Sequence, residues 1–155
     1  MAREIRLEAE GALESIELNA GRARRNADLL DYLRLAALRF DYLGLKAQYA
    51  RRIAELYRGA YENQEDQRRA GAALIRINQM NGLLQDGRDF STMIREQWRA
   101  AWLAENRPYW LENTLALYDR ETRMWLDKIA EFTLLRGRLR ADDKLPAPAE
   151  LGLEP

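Results

Sequence analysis

The chain has 155 residues with 25 Lys+Arg against 25 Asp+Glu, so its formal charge is zero, and it holds neither cysteine nor histidine. That removes disulfides, thiol nucleophiles, cysteine-based zinc sites and every histidine-dependent triad or di-iron motif. The length suits one domain and falls short of the roughly 250 residues of a catalytic (β/α)₈ barrel. The basic side chains are almost all arginine, with only Lys46, Lys128 and Lys144 as lysines.

Charge balance removes the long-range field by which a general nucleic-acid binder neutralises phosphates. Three arginine clusters remain, Arg22/Arg24/Arg25, Arg51/Arg52 with Arg58, and Arg136/Arg138/Arg140. Each lies near acids or at a helix end, where cations complement the dipole. No nucleic-acid or membrane partner is expected. The charged, alternating start Met1-Ala2-Arg3-Glu4-Ile5-Arg6 is unlike a signal peptide, and no run of 18 apolar residues exists. The expected location is therefore cytoplasmic by default.

The first element is a helix carrying Ile5, Ala9, Ala12 and Ile16 on one face, with Gly21 as a left-handed terminator. Asn26 is placed to cap any helical start at Ala27, and a second helix should run from about Ala23 to Glu62. Its apolar positions are Leu29, Leu33, Ala36, Phe40, Leu43, Ala47, Ala50, Ala54, Tyr57 and Tyr61. Those steps alternate four and three, the rhythm of a helix that buries one seam. A rod on the order of 60 Å results at 1.5 Å per residue, with Gly44 and Gly59 as its weak points and a break at Gly44 left open.

A third helix is predicted from Ala70 through Ala73, Ile77, Met80 and Leu84, ending at Asp86-Gly87. Asn78 and Asn81 flank its seam, and a buried amide there must find partners. A fourth should begin at Asp89 or Ser91, carry Ile94, Trp98, Ala101 and Trp102, and stop at Pro108. Pro108 would open the fifth, which continues Leu111, Leu115, Tyr118, Thr122, Trp125, Ile129 and Phe132 before losing register after Gly137. The expectation is an all-α, up-and-down bundle of about five helices with one long helix over residues 1–140. A Pro/Ala-rich tail, 141–155, follows and should be extended or flexible.

No constellation points to chemistry. Glu10, Glu14 and Glu17 share a face but lie off the apolar seam, where water is the expected neighbour. No catalytic, cofactor-binding or metal-ligating residue is assigned. All four tryptophans fall between positions 98 and 125. Trp98, Trp102 and Trp125 fit helical periodicity. Trp110, beside Tyr109 and just past Pro108, either plugs a helix junction or projects toward a partner.

The stretch Trp102-Leu103-Ala104-Glu105-Asn106-Arg107-Pro108-Tyr109-Trp110-Leu111-Glu112-Asn113, followed by Tyr118-Asp119, resembles the helical region behind the catalytic barrel of bacterial family 20 glycoside hydrolases. Those enzymes are β-N-acetylhexosaminidases and their relatives. Arg25 to Leu33 and Arg39 to Gly44 are similar to the preceding helices of that region, so the likeness runs from about Arg22 to Ile129. The resemblance implies a non-catalytic accessory domain that serves domain packing or oligomerisation. The family's catalytic Asp-Glu pair belongs to barrel strands, so none of its catalytic residues carries over. By resemblance, Glu105, Asn106, Arg107, Pro108, Tyr109 and Trp110 form the corner that touches the catalytic barrel or a second copy. The alternative is an independent helical-bundle scaffold or adaptor, natural or synthetic, that self-associates along the Leu29–Tyr61 seam.

Overall fold

A computed structural model describes residues 1–153 and shows an all-α helical bundle. Five α-helices follow in order: α1 (Ala2–Ala20), α2 (Ala27–Glu62), α3 (Gln67–Ile77), α4 (Leu83–Glu105) and α5 (Leu111–Arg140). A short 3₁₀ turn, Pro148–Leu151, comes after them. Packing divides the chain into two compact units, a division not anticipated from sequence. Among the described residues one takes 1–48 and 90–121, and the other takes 49–89 and the residues from 122 onward.

In the first unit α1 packs antiparallel against the front half of α2. Gly44 makes this possible. A Cβ there would lie 2.5 Å from Arg6 Cγ and 2.7 Å from the Ala2 carbonyl oxygen. The helix runs on through Gly44 without a break, and the missing side chain admits a neighbour instead of loosening the backbone. Arg6 Nε donates to Asp41 Oδ1 at 2.7 Å and further guanidinium nitrogens reach Gln48 and Glu10. Tyr42 stacks on Phe90 of α4 with centroids 5.6 Å apart, and Lys46 meets Glu121 of α5 at 2.6 Å.

The face of α2 that this unit buries is not the expected one. Leu35, Ala37, Asp41, Tyr42 and Leu45 are buried, while Leu29, Leu33, Ala36, Phe40, Leu43 and Ala47 are exposed. The four-three stripe enters a core only from Tyr57 onward. The buried face contains an aspartate paired to Arg6 and a glycine under α1, which makes it the less apolar of the two in sequence.

The second unit has a continuous core of Ile53, Tyr57, Ala70, Leu74, Ile77, Leu84, Trp125, Phe132, Leu135 and Leu139. Asp66 starts α3, accepting hydrogen bonds from the amides of Arg68 and Arg69. This helix stops at Ile77, earlier than expected. Asn78 caps it, Met80 is exposed, and the chain turns sharply at Gly82, where a Cβ would lie 2.7 Å from the Gln79 nitrogen. Consequently α4 begins at Leu83, ahead of the expected caps: Asp89 is mid-helix and Ser91 is buried.

Asn78 holds this corner together. Its Nδ2 donates to the Ile129 carbonyl and to Thr133 Oγ1, both at 3.0 Å, and its Oδ1 accepts from Gln85 at 3.1 Å. Its backbone oxygen accepts from Arg136 at 2.7 Å. Each polar atom left bare in such a place would cost about 1–3 kcal/mol.

Residues after Arg140 differ from the loose tail expected of them. Leu145 is buried in the core, with Leu151 and Leu153 packed against it. Gln64 Oε1 accepts from the Leu145 amide, Tyr57 donates to the Pro146 carbonyl at 2.8 Å, and Lys128 donates to the Leu151 carbonyl. Proline supplies rigidity and leucine supplies anchors, so the segment is held on the core with only the 3₁₀ turn at Pro148–Leu151 as regular structure. Glu154 and Pro155, the end of the expected tail, lie outside the described residues.

Candidate functional site

The six residues singled out at the α4–α5 junction form one exposed corner in the first unit. Glu105 ends α4, and the amide of Asn106 closes its last turn on the Trp102 carbonyl at 2.8 Å. The Trp102 indole donates to the Arg107 carbonyl at 3.0 Å, so a half-buried ring fixes the path of the loop. Pro108 does not open α5; its carbonyl accepts from Leu111, the first residue of that helix. Tyr109 and Trp110 occupy the turn between them.

Trp110 is the anomalous residue. Its φ is 64°, in the left-handed region where a bulky side chain is strained by about 1–2 kcal/mol. Its ring does not plug the junction. Tyr109 is 77% and Trp110 58% exposed, and the two rings meet edge to face at 5.8 Å. The turn therefore spends strain to hold two large aromatic rings outward, which a purely structural connection does not require.

Next to this corner lies a cavity of about 540 Å³ lined by Asp28, Asp31, Tyr32 and Arg34 from α2 and by Gln97, Ala101 and Glu105 from α4. Tyr32 donates to the Ala101 carbonyl at 3.3 Å. Burial is the first cause that holds its phenol above the ordinary tyrosine range; the nearby Glu105, Asp28 and Asp31 carboxylates add to it. Glu105 is thus shared between corner and cavity. Sequence spacing gave no sign that Asp28, Asp31 and Tyr32 belong here, because they lie far along the chain from Gln97, Ala101 and Glu105 and only the fold joins them.

The other tryptophans divide. Trp125 is buried in the second unit as expected. Trp98 and Trp102 are half-buried, tilted together at 6.4 Å, and Arg39 sits 5.1 Å over the Trp98 ring. Arg95 ties α4 to α5 through Asp119 at 2.6 Å. These contacts brace the elements from which the corner springs.

Among the described residues no group of three or more carboxylates converges as a metal site would require. Glu10 pairs with Arg6 and Glu17 with Arg34, so two of the three acids on the α1 face are engaged in surface ion pairs. No helix of the described residues is long and apolar enough to cross a membrane. No family model, curated protein or solved structure matches the chain.

Proposed function

We propose that the chain is a non-catalytic helical accessory domain that docks through its Glu105–Trp110 corner onto the catalytic barrel of a glycosidase of the family 20 kind. The observation that carries this reading is the turn itself: Trp110 is held at a φ of 64° with its ring turned outward beside an exposed Tyr109. Tyrosine, tryptophan and arginine are the side chains most often found to anchor interfaces. The sequence Glu105-Asn106-Arg107-Pro108-Tyr109-Trp110-Leu111, which resembles that family's helical appendage, falls on this same turn.

Two measurements test it. Homogeneous protein should leave a chromogenic N-acetylglucosaminide uncleaved, and turnover by the pure chain would overturn the non-catalytic reading. Titrated against the catalytic barrel of a family 20 glycosidase, the chain should bind. A Tyr109→Ala/Trp110→Ala variant should lose at least about tenfold in affinity, as expected for removal of paired aromatic anchors. Unchanged affinity would move the interface elsewhere.

A further inference from the structure

We infer that the outer face of α2 in the first unit pairs with the same face of a second copy of this chain, as an antiparallel, two-fold helix pair centred near Leu38. This concerns a different surface from the Glu105–Trp110 corner and does not rest on the docking reading.

Leu29, Leu33, Phe40 and Leu43 are 53%, 47%, 59% and 48% exposed, and the exposed Ala36 and Ala47 complete the row. Together they form an unbroken stripe about 27 Å long at 1.5 Å per residue. Its spacing is that of a coiled-coil seam, which packs straight against a partner helix. Isolated exposed leucines need no explanation, but a contiguous apolar stripe on heptad spacing does.

The order of residue sizes selects the partner. Turned antiparallel on itself about Leu38, the seam sets Ala36 against Phe40, Leu33 against Leu43 and Leu29 against Ala47. Each layer then matches a large side chain with a small one or two leucines with each other. In a parallel pair Phe40 would meet Phe40 and Ala36 would meet Ala36, giving crowding in one layer and a void in the next. The cations on the flank do not oppose the contact: Lys46 is held by Glu121 at 2.6 Å and Arg39 lies over Trp98 at 5.1 Å, both on their own protomer. An isologous contact of this kind is the commonest way in which identical chains associate. The seam offers on the order of 500 Å² per partner, below the roughly 800 Å² of a standard interface, so the association is a weak, transient one.

Sedimentation of the full chain across micromolar to millimolar concentration should show a monomer passing to a dimer. Phe40→Asp and Ala36→Glu should each raise the dissociation constant by about tenfold or more while the helical circular dichroism stays unchanged. With no native cysteine, orientation can be read by crosslinking. A mixture of Leu33→Cys and Leu43→Cys chains should oxidise to the mixed disulfide, while Leu33→Cys alone stays unlinked. A monomer at every concentration, or a disulfide between two Leu33→Cys chains, would overturn the inference. Because Phe40 is remote in sequence from the aromatic turn, failure here leaves the binding test of Tyr109 and Trp110 untouched.

Discussion

Gly87 sits early in α4 with the benzo edge of Trp125 against its backbone, so that a Cβ would lie 2.8 Å from three ring carbons. The glycine ends no helix; it makes room for the largest side chain in the second unit's core. Helix propensity favours Gly87→Ala by about 1 kcal/mol. The clash with a ring locked among buried neighbours costs about 1–3 kcal/mol and outweighs it. Urea denaturation of Gly87→Ala should show a net loss of stability, and the same substitution made in a Trp125→Leu background should cost less. A more stable single variant would show that the ring has room to retreat.

Asn78 is satisfied by three side-chain hydrogen bonds in a buried setting, which makes it sensitive to the loss of its amide donor. Asn78→Ala should cost about 2–4 kcal/mol, because Gln85, Thr133 and the Ile129 carbonyl lose a shared partner. Asn78→Asp should cost more at neutral pH, since its charge would face the Ile129 carbonyl in place of a donor. Burial raises the folded-state pKa of such a carboxyl, so its destabilisation should shrink as pH falls and the acid becomes neutral. Melting curves at neutral and acidic pH read the difference directly.

How far the sequence could be read follows from the same kinds of residue. Helices with one clearly richer face, such as α5 with Leu111, Leu115, Trp125 and Phe132, were legible from periodicity alone. The front of α2 was legible as helix and misleading as to side. Its buried face contains Asp41 and Gly44, whose value comes from Arg6 and from the close approach of α1, neither of which hydropathy can register. The break after Ile77 was hidden because Met80 and Leu84 continue the apolar rhythm across it, although Met80 faces solvent. The aromatic corner was visible as a Pro-broken junction. Its cavity was not, because Tyr32 and Glu105 meet only through tertiary structure.

Tyr57 gives the second unit an alkaline limit. Its ring is buried edge to face with Phe132, and its hydroxyl donates to the Pro146 carbonyl at 2.8 Å. Burial, with smaller contributions from the Glu131 and Glu150 charges, pushes its ionisation well above the ordinary tyrosine value. A raised folded-state pKa means that the folded protein prefers the neutral phenol. This stabilisation is complete below about pH 10, where a tyrosine in the unfolded chain begins to ionise, and is lost progressively above it. Tyr57→Phe should cost about 1 kcal/mol at neutral pH through the missing hydrogen bond. Its stability should then fall less steeply than wild type above pH 10. Parallel alkaline profiles for the two proteins would show that another group sets the limit.

Trp110 allows stability and docking to be separated. Its left-handed backbone costs about 1–2 kcal/mol with a Cβ present, and glycine would remove that strain at an entropic cost of up to about 1 kcal/mol. Truncating a ring that is 58% exposed gives up its remaining burial and the Tyr109 edge contact, a cost shared by both variants. Trp110→Gly should therefore be the more stable of the two by about 1 kcal/mol, since it releases the strain that Trp110→Ala keeps. Both variants remove the ring proposed to anchor the partner, so both should weaken docking, Trp110→Gly doing so without loss of fold. A loss beyond about 2 kcal/mol in Trp110→Gly would identify the ring as part of the packing that joins α4 to α5, and the strained turn would then serve the fold and not a partner.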